Sequence, residues 1–181
     1  LLSCFDGSHA FLFTAALKND SLYGNFFSGS HWKSNWCGIK NNSFELKNPE
    51  ELTYLKENSS FEFSLNTIDG TAFNFPNEAY KHKVTIIQIM GTWCPNCLDE
   101  TVYFKSLYDK YHDKGLEIIS ICYEAGKTLE EQIASITRYK ERINVDFNFI
   151  VGGTASKNKA AKDFSMLNDI IYFPTSIFIG R

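Results

Sequence analysis

The chain is 181 residues long, enough for one compact domain and a fragment of a second but short of two full ones. Hydrophobic residues at 44% against 22% charged exclude a disordered chain, and a net charge of -3 with no run of Lys and Arg at either end excludes a nucleic-acid binder held by phosphate contacts. No apolar stretch approaches the ~18 residues of a membrane span; the longest, Val84 to Met90, is interrupted by Thr85 and Gln88.

The chain opens on Leu1-Leu2-Ser3-Cys4, from which no signal peptide can be read. Leu-Leu-Ser-Cys superficially resembles a lipoprotein cleavage box, but Cys4 runs straight into a strand-like pattern rather than a polar tether, so it reads as structural. The first 43 residues hold only five charged side chains (Asp6, Lys18, Asp20, Lys33, Lys40) and eight aromatic ones, and this compositional step predicts a boundary near residue 43. Strands are expected over Ala10 to Leu17, Ser21 to Phe27 and His31 to Ile39, with turns at Lys18-Asn19-Asp20 and Ser28-Gly29-Ser30, as a three-stranded meander. Asn48-Pro49-Glu50-Glu51 reads as an N-cap, a proline at N1 and acids in the first turn, starting a short helix to about Lys56 within a linker of residues 44–60.

From residue 61 onward the pattern is α/β. Phe61, Phe63 and Leu65 alternate with polar residues, Asp69-Gly70 supplies a hairpin turn, and Thr71 to Phe75 returns. Val84 to Met90 is a β-branched run of the kind buried on both faces of a sheet. Helices follow from Pro95 to about Asp113, from a Thr128/Glu131 capping box to about Arg142, and from Ala155 to about Leu167; strands at Leu116 to Cys122, Phe147 to Val151 and Thr175 to Ile179 alternate with them. That alternation predicts β-α-β crossovers and a largely parallel sheet.

Gly91-Thr92-Trp93-Cys94-Pro95-Asn96-Cys97 lies where the central strand hands over to a helix. Cys94 falls at the N-cap and Pro95 at N1, so the Cys94 sulfur meets unpaired backbone N–H groups and the positive helix end, which favours its thiolate and makes it the nucleophile. Cys97, one turn further in, is placed to resolve. A structural zinc site would need two more ligands at useful spacing, and none occur; a c-type haem would need His after the second Cys, where Leu98 stands; a peroxidase motif would need Pro at Ile87 and Ser or Thr at Gly91. An inert structural disulfide would not call for a helix start, a preceding Trp and a Pro in the loop.

With Trp93-Cys94-Pro95-Asn96-Cys97, the strand before it and Phe173-Pro174-Thr175 before the last strand, the sequence resembles the thioredoxin superfamily and, within it, the TlpA/ResA-like thiol-disulfide oxidoreductases, over roughly residues 60–181. The resemblance implies a thioredoxin-like α/β domain over 61–181 carrying one β-α unit more than a plain thioredoxin, preceded by the β-rich remnant of an N-terminal domain at 1–43. It implies a cis Pro174 that holds the Phe173 carbonyl and Thr175 amide facing Cys94, with Trp93, Pro95, Phe173, Pro174 and Thr175 contacting substrate. It also implies that Glu100, three residues after the second Cys, accepts the proton of Cys97; Asp99 and Glu124 are rivals for that role. The family fold continues with a further antiparallel strand and a helix, whereas this chain stops at Gly180-Arg181, so those elements should be absent and one edge and one face of the sheet uncovered.

The activity implied is reduction of protein disulfides with no bound cofactor and no metal, in an extracytoplasmic bacterial setting, with a membrane thiol donor as reductant. Alternatives are a redox-inert binding module on the same scaffold, or a thiol peroxidase. Among the remaining residues, Cys122 reads as a small buried hydrophobe, Cys4 and Cys37 as structural cysteines that could pair, and His9, His31, His82 and His112 as surface or turn residues.

Overall fold

A computed structural model describes residues 1–5, 10–30, 32–48 and 51–180. The chain divides into two compact units, Leu1–Lys47 and Asn48–Arg181.

The first unit is an antiparallel meander of four strands in chain order: β1 (Leu2–Phe5), β2 (Ala10–Lys18), β3 (Ser21–Ser28) and β4 (Trp32–Ile39). Three strands were expected; the fourth is β1, which pairs Cys4 with Phe11. Asn19 and Asp20 both adopt positive φ, 49° and 60°, the backbone of a tight hairpin turn matched to the twist of β2 and β3. Phe13 packs between Phe26 (4.7 Å) and the edge of Trp36 (6.2 Å), so one face of the meander carries a row of cross-strand aromatic pairs. Cys4 and Cys37 lie on the two outer strands, three spacings of ~4.8 Å apart, beyond the reach of a disulfide. Both are exposed free thiols.

The helix start expected at Asn48-Pro49-Glu50-Glu51 rests on residues 49 and 50, which lie outside the described residues, as do His9 and His31. The Glu51 N–H donates to the carbonyl of Asn48, the expected N-cap (2.9 Å), but the expected continuation over 52–56 is not helical. Leu55 forms an antiparallel bridge with Leu167, the Lys56 N–H donates to the Met166 carbonyl (2.9 Å), and the Tyr54 N–H donates to the Asn168 side chain (2.7 Å). Tertiary acceptors thus take the donors that a helix would use internally.

The second unit is built on a six-stranded sheet: β5 (Phe63–Thr67), β6 (Ala72–Phe75), β7 (Val84–Met90), β8 (Leu116–Glu124), β9 (Asn148–Thr154) and β10 (Thr175–Ile179), in the order β10-β7-β8-β9-β5-β6. Helices α1 (Pro95–Tyr111) and α2 (Leu129–Ile143) make the two crossovers between the parallel strands β7, β8 and β9. The sheet is mixed rather than largely parallel. β10 returns to the free edge of β7 and runs antiparallel to it, and the β5–β6 hairpin closes antiparallel on β9. Helix α3 (Lys157–Asp163) stops four residues short of the expected Leu167, because Phe164 and Leu167 turn inward: both are buried, and Leu167 belongs to the bridge with Leu55.

Period-two alternation along β7 and β8 feeds two cores. Ile86, Met90, Ile118 and Cys122 face α1 and α2, meeting Phe104, Ile136 and Tyr139. Ile87, Ile89, Ile119 and Ile121 face the other way, toward Phe164, Leu167 and a cluster of stacked rings around Phe63 and Phe75 (5.5 Å between centroids). Phe75–Pro76, at the end of β6, is a cis peptide that the sequence reading did not anticipate. β10 has no partner on its outer side among the described residues, and its Phe178 is exposed. Among the described residues no helix is long and apolar enough to cross a membrane.

Candidate active site

β7 delivers the chain to the site through Gly91-Thr92-Trp93. A Cβ at Gly91 would fall into the Trp93 indole and within 2.8 Å of the Tyr123 carbonyl, so the absence of a side chain is what lets this loop close against the end of β8. Two clamps hold it there. The Trp93 Nε1–H donates to the Tyr123 carbonyl (2.9 Å), and the Thr92 N–H and hydroxyl both donate to the carboxylate of Glu124 (2.9 and 2.6 Å). Glu124 is 2% exposed, and these two donors compensate its burial.

Cys94 then takes an extended backbone conformation at the N-cap of α1, with Pro95 at N1. Its sulfur accepts the Cys97 backbone N–H at 3.3 Å, filling the place a serine or aspartate oxygen usually occupies. The Cys97 thiol donating to it, helped by the N–H groups of Cys97 and Asn96, brings the Cys94 thiol down to about 7 against the opposing effects of burial and the Glu100 charge. Cys97 is fully buried, and its thiol is pushed up, chiefly by that same bond to Cys94 and then by burial. The two sulfurs therefore have divided roles: an ionisable outer thiol and a protonated inner one. Both are free thiols.

The Phe173–Pro174 peptide is cis, and the Phe173 carbonyl lies 3.7 Å from the Cys94 sulfur as its hydrogen-bond acceptor. The Phe173 ring stacks on Tyr123 (5.8 Å, 12° between planes) and meets the edge of Trp93 (6.1 Å). Thr175 opens β10 opposite Ile89, with its hydroxyl turned back to the Tyr172 carbonyl (2.7 Å). A cleft of about 330 Å³ opens over Cys94 between half-exposed Trp93 and exposed Tyr172, with Lys157 at its rim. A larger cavity of about 910 Å³, lined by Phe61, Phe75 and Ile177, does not include the cysteines.

The three candidate carboxylates separate. Asp99 is exposed, and Glu124 is turned to the Thr92 loop. Glu100 is partly buried on the first turns of α1, its two oxygens accepting from the Gln88 amide (2.8 Å) and the Ser176 hydroxyl (2.9 Å), and its charge raises both cysteine thiols. Sequence reasoning missed Gln88, Ser176, Thr92 and Tyr123 as parts of the site. The one available signal was Gln88 itself, a polar residue in the middle of an otherwise apolar central strand. Cys122 is fully buried, its thiol pushed well up by burial, and no group of three or more metal-ligating side chains occurs among the described residues.

A sheet in this order, a cysteine capping the helix after its central strand and a cis-proline facing that cysteine together define a thioredoxin fold with a dithiol centre. The chain belongs to the Redoxin family, whose profile matches residues 56–180. ResA of Bacillus thuringiensis subsp. konkukian, a thiol-disulfide oxidoreductase, is 43% identical over 42 residues, 23% of this chain and 24% of that protein. The sporulation thiol-disulfide oxidoreductase A of Bacillus subtilis is 30% identical over 59 residues, 33% of this chain and 34% of that protein. The matches thus span about a quarter to a third of these relatives' length. The thioredoxin domain of a thiol-disulfide oxidoreductase from Bacteroides vulgatus superposes with a TM-score of 0.50 at 18% identity, over 67% of this chain and 79% of that one, a likeness of fold.

Proposed function

We propose that the chain is a thiol-disulfide oxidoreductase that reduces disulfides of protein substrates. The observation that carries this reading is the Cys94 sulfur at the helix N-cap, brought down to about 7 over a buried, protonated Cys97. The Cys94 thiolate attacks one sulfur of a substrate disulfide; the substrate S–S bond breaks, and one substrate sulfur leaves as thiolate while the other stays bonded to Cys94. Cys97 then gives its proton to Glu100, and its thiolate attacks the Cys94 sulfur. The Cys94–Cys97 bond forms, the bond from Cys94 to substrate breaks, and the second substrate sulfur leaves with the electron pair and takes up a proton. The substrate gains two electrons and the cysteine pair loses them, so no cofactor is needed beyond the pair. The substrate segment lies in the cleft between Trp93 and Tyr172, beside the Phe173 carbonyl.

Renewal of the dithiol requires an external thiol donor, for which a membrane-bound partner in an extracytoplasmic compartment fits the resemblance to the TlpA/ResA branch. A Cys97→Ser variant tests the reading by stalling at the first intermediate. It should accumulate substrates disulfide-linked through Cys94 that the wild type releases. A protein that neither reduces insulin nor captures any mixed disulfide through Cys94 would be a redox-inert binding module instead.

A further inference from the structure

Gln88 is fully buried in the middle of β7, and its carboxamide ties that strand to β8 and to α1, the helix that carries the resolving cysteine. Its Nε2 donates to the Glu100 carboxylate (2.8 Å) and reaches the Cys97 carbonyl (3.4 Å), while its Oε1 accepts from the Ser120 hydroxyl of β8 (2.9 Å) and lies 3.1 Å from the Thr101 hydroxyl. A carboxylate and a carbonyl only accept, so the amide nitrogen must face them; the reverse orientation would set two oxygens against each other. The Thr101 hydroxyl donates to the Cys97 carbonyl (2.7 Å) and accepts from Tyr139 of α2 (3.0 Å), closing the network on its far side. From the strand after Pro174, the Ser176 hydroxyl donates to the second oxygen of Glu100 (2.9 Å). An amide buried in a strand that is apolar on both sides of it must have its bonds made, and here one of them goes to the Glu100 carboxylate beside the dithiol.

We infer that Gln88 and Ser176 are positioning residues that fix the Glu100 carboxylate as the proton acceptor of Cys97 in the resolving step. Each uses one lone-pair direction on a different oxygen of Glu100, which locks the plane of the carboxylate and leaves a free direction on each oxygen for the proton. The inference rests on the proposed role of Glu100. It adds that the proton can be passed only while the carboxylate is held from β7 on one side and β10 on the other. Cys94 ionisation is set chiefly by the Cys97 thiol and the N–H groups at the start of α1, with Glu100 the smallest contributor, so the first chemical step depends little on this pair.

The test separates the two steps with DTNB, which releases one coloured thiol when Cys94 attacks and a second when Cys97 resolves, in a background where the exposed Cys4 and Cys37 are replaced by Ser. Glu100→Gln should slow the second release by about a hundredfold, the lower end for a positioned acid-base group, and make it rise with hydroxide. Gln88→Met, of matching length, and Ser176→Ala should each slow the second release about tenfold with the same change of pH profile, and leave the first within about twofold. Gln88→Met added to Glu100→Gln should cost nothing further, because it acts through a group already removed. Should Glu100→Gln slow the second release while Gln88→Met and Ser176→Ala do not, the positioning inference is wrong and the role of Glu100 stands. Additive losses in the double variant, or slowing with an unchanged pH profile, would make Gln88 merely structural. If Glu100→Gln itself leaves the second release unchanged, the proton-acceptor reading fails, and this inference with it.

Discussion

With its thiol at about 7, Cys94 is about a tenth thiolate at pH 6 and about nine-tenths at pH 8, so its reactivity climbs across neutrality instead of above pH 8. The rate of Cys94 alkylation by iodoacetamide should therefore rise with a midpoint near pH 7. Two substitutions should move that midpoint in opposite directions. Cys97→Ala removes the donor that contributes most to lowering the thiol, so the midpoint climbs toward the ordinary ~8.5. Glu100→Gln removes a negative charge that opposes ionisation, so it falls. Cys122 should stay silent in the folded protein and react only on unfolding, as its burial requires.

At the scale of the element, α1 and α2 start from caps that are local in sequence, and that is why both starts were legible. Cys94 reaches the N–H three residues on, and Thr128 and Glu131 exchange side-chain and backbone bonds across one turn. Thr128→Ala should cost about 1 kcal/mol in urea unfolding with an unchanged urea dependence. What could not be read were devices whose partners are remote in the chain. Glu100 was legible only as a position after the second cysteine, whereas Ser176, which holds it, is 76 residues away. The failed helix to Lys56 and the shortened α3 share one cause: Leu55 and Leu167 are paired in a bridge across 112 residues, closed by the Lys56 N–H on the Met166 carbonyl and the Asn168 N–H on the Tyr54 carbonyl, and no local propensity contains that choice. The direction of β10 was hidden for the same reason, since antiparallel return to β7 is decided by which edge is free.

Taken whole, the molecule is two compact units joined where residues 41–48 are exposed and form neither strand nor helix. Trypsin should cut first after Lys40 or Lys47, leaving a fragment that begins near Asn48 and carries the dithiol. The compositional step near residue 43 has a physical basis: the four-stranded unit makes its contacts from cross-strand aromatic pairs, while the α/β unit needs charged helix faces. The three tryptophans divide along the same line, with Trp32 and Trp36 in the meander and Trp93 in the other unit, one residue before the reactive sulfur. Sulfur chemistry at Cys94 is therefore written into the emission of a single indole. Closing the Cys94–Cys97 bond should change the intensity of that emission, and Trp93→Phe should abolish the change, so the redox state of the protein can be followed by eye of a fluorimeter with no added dye.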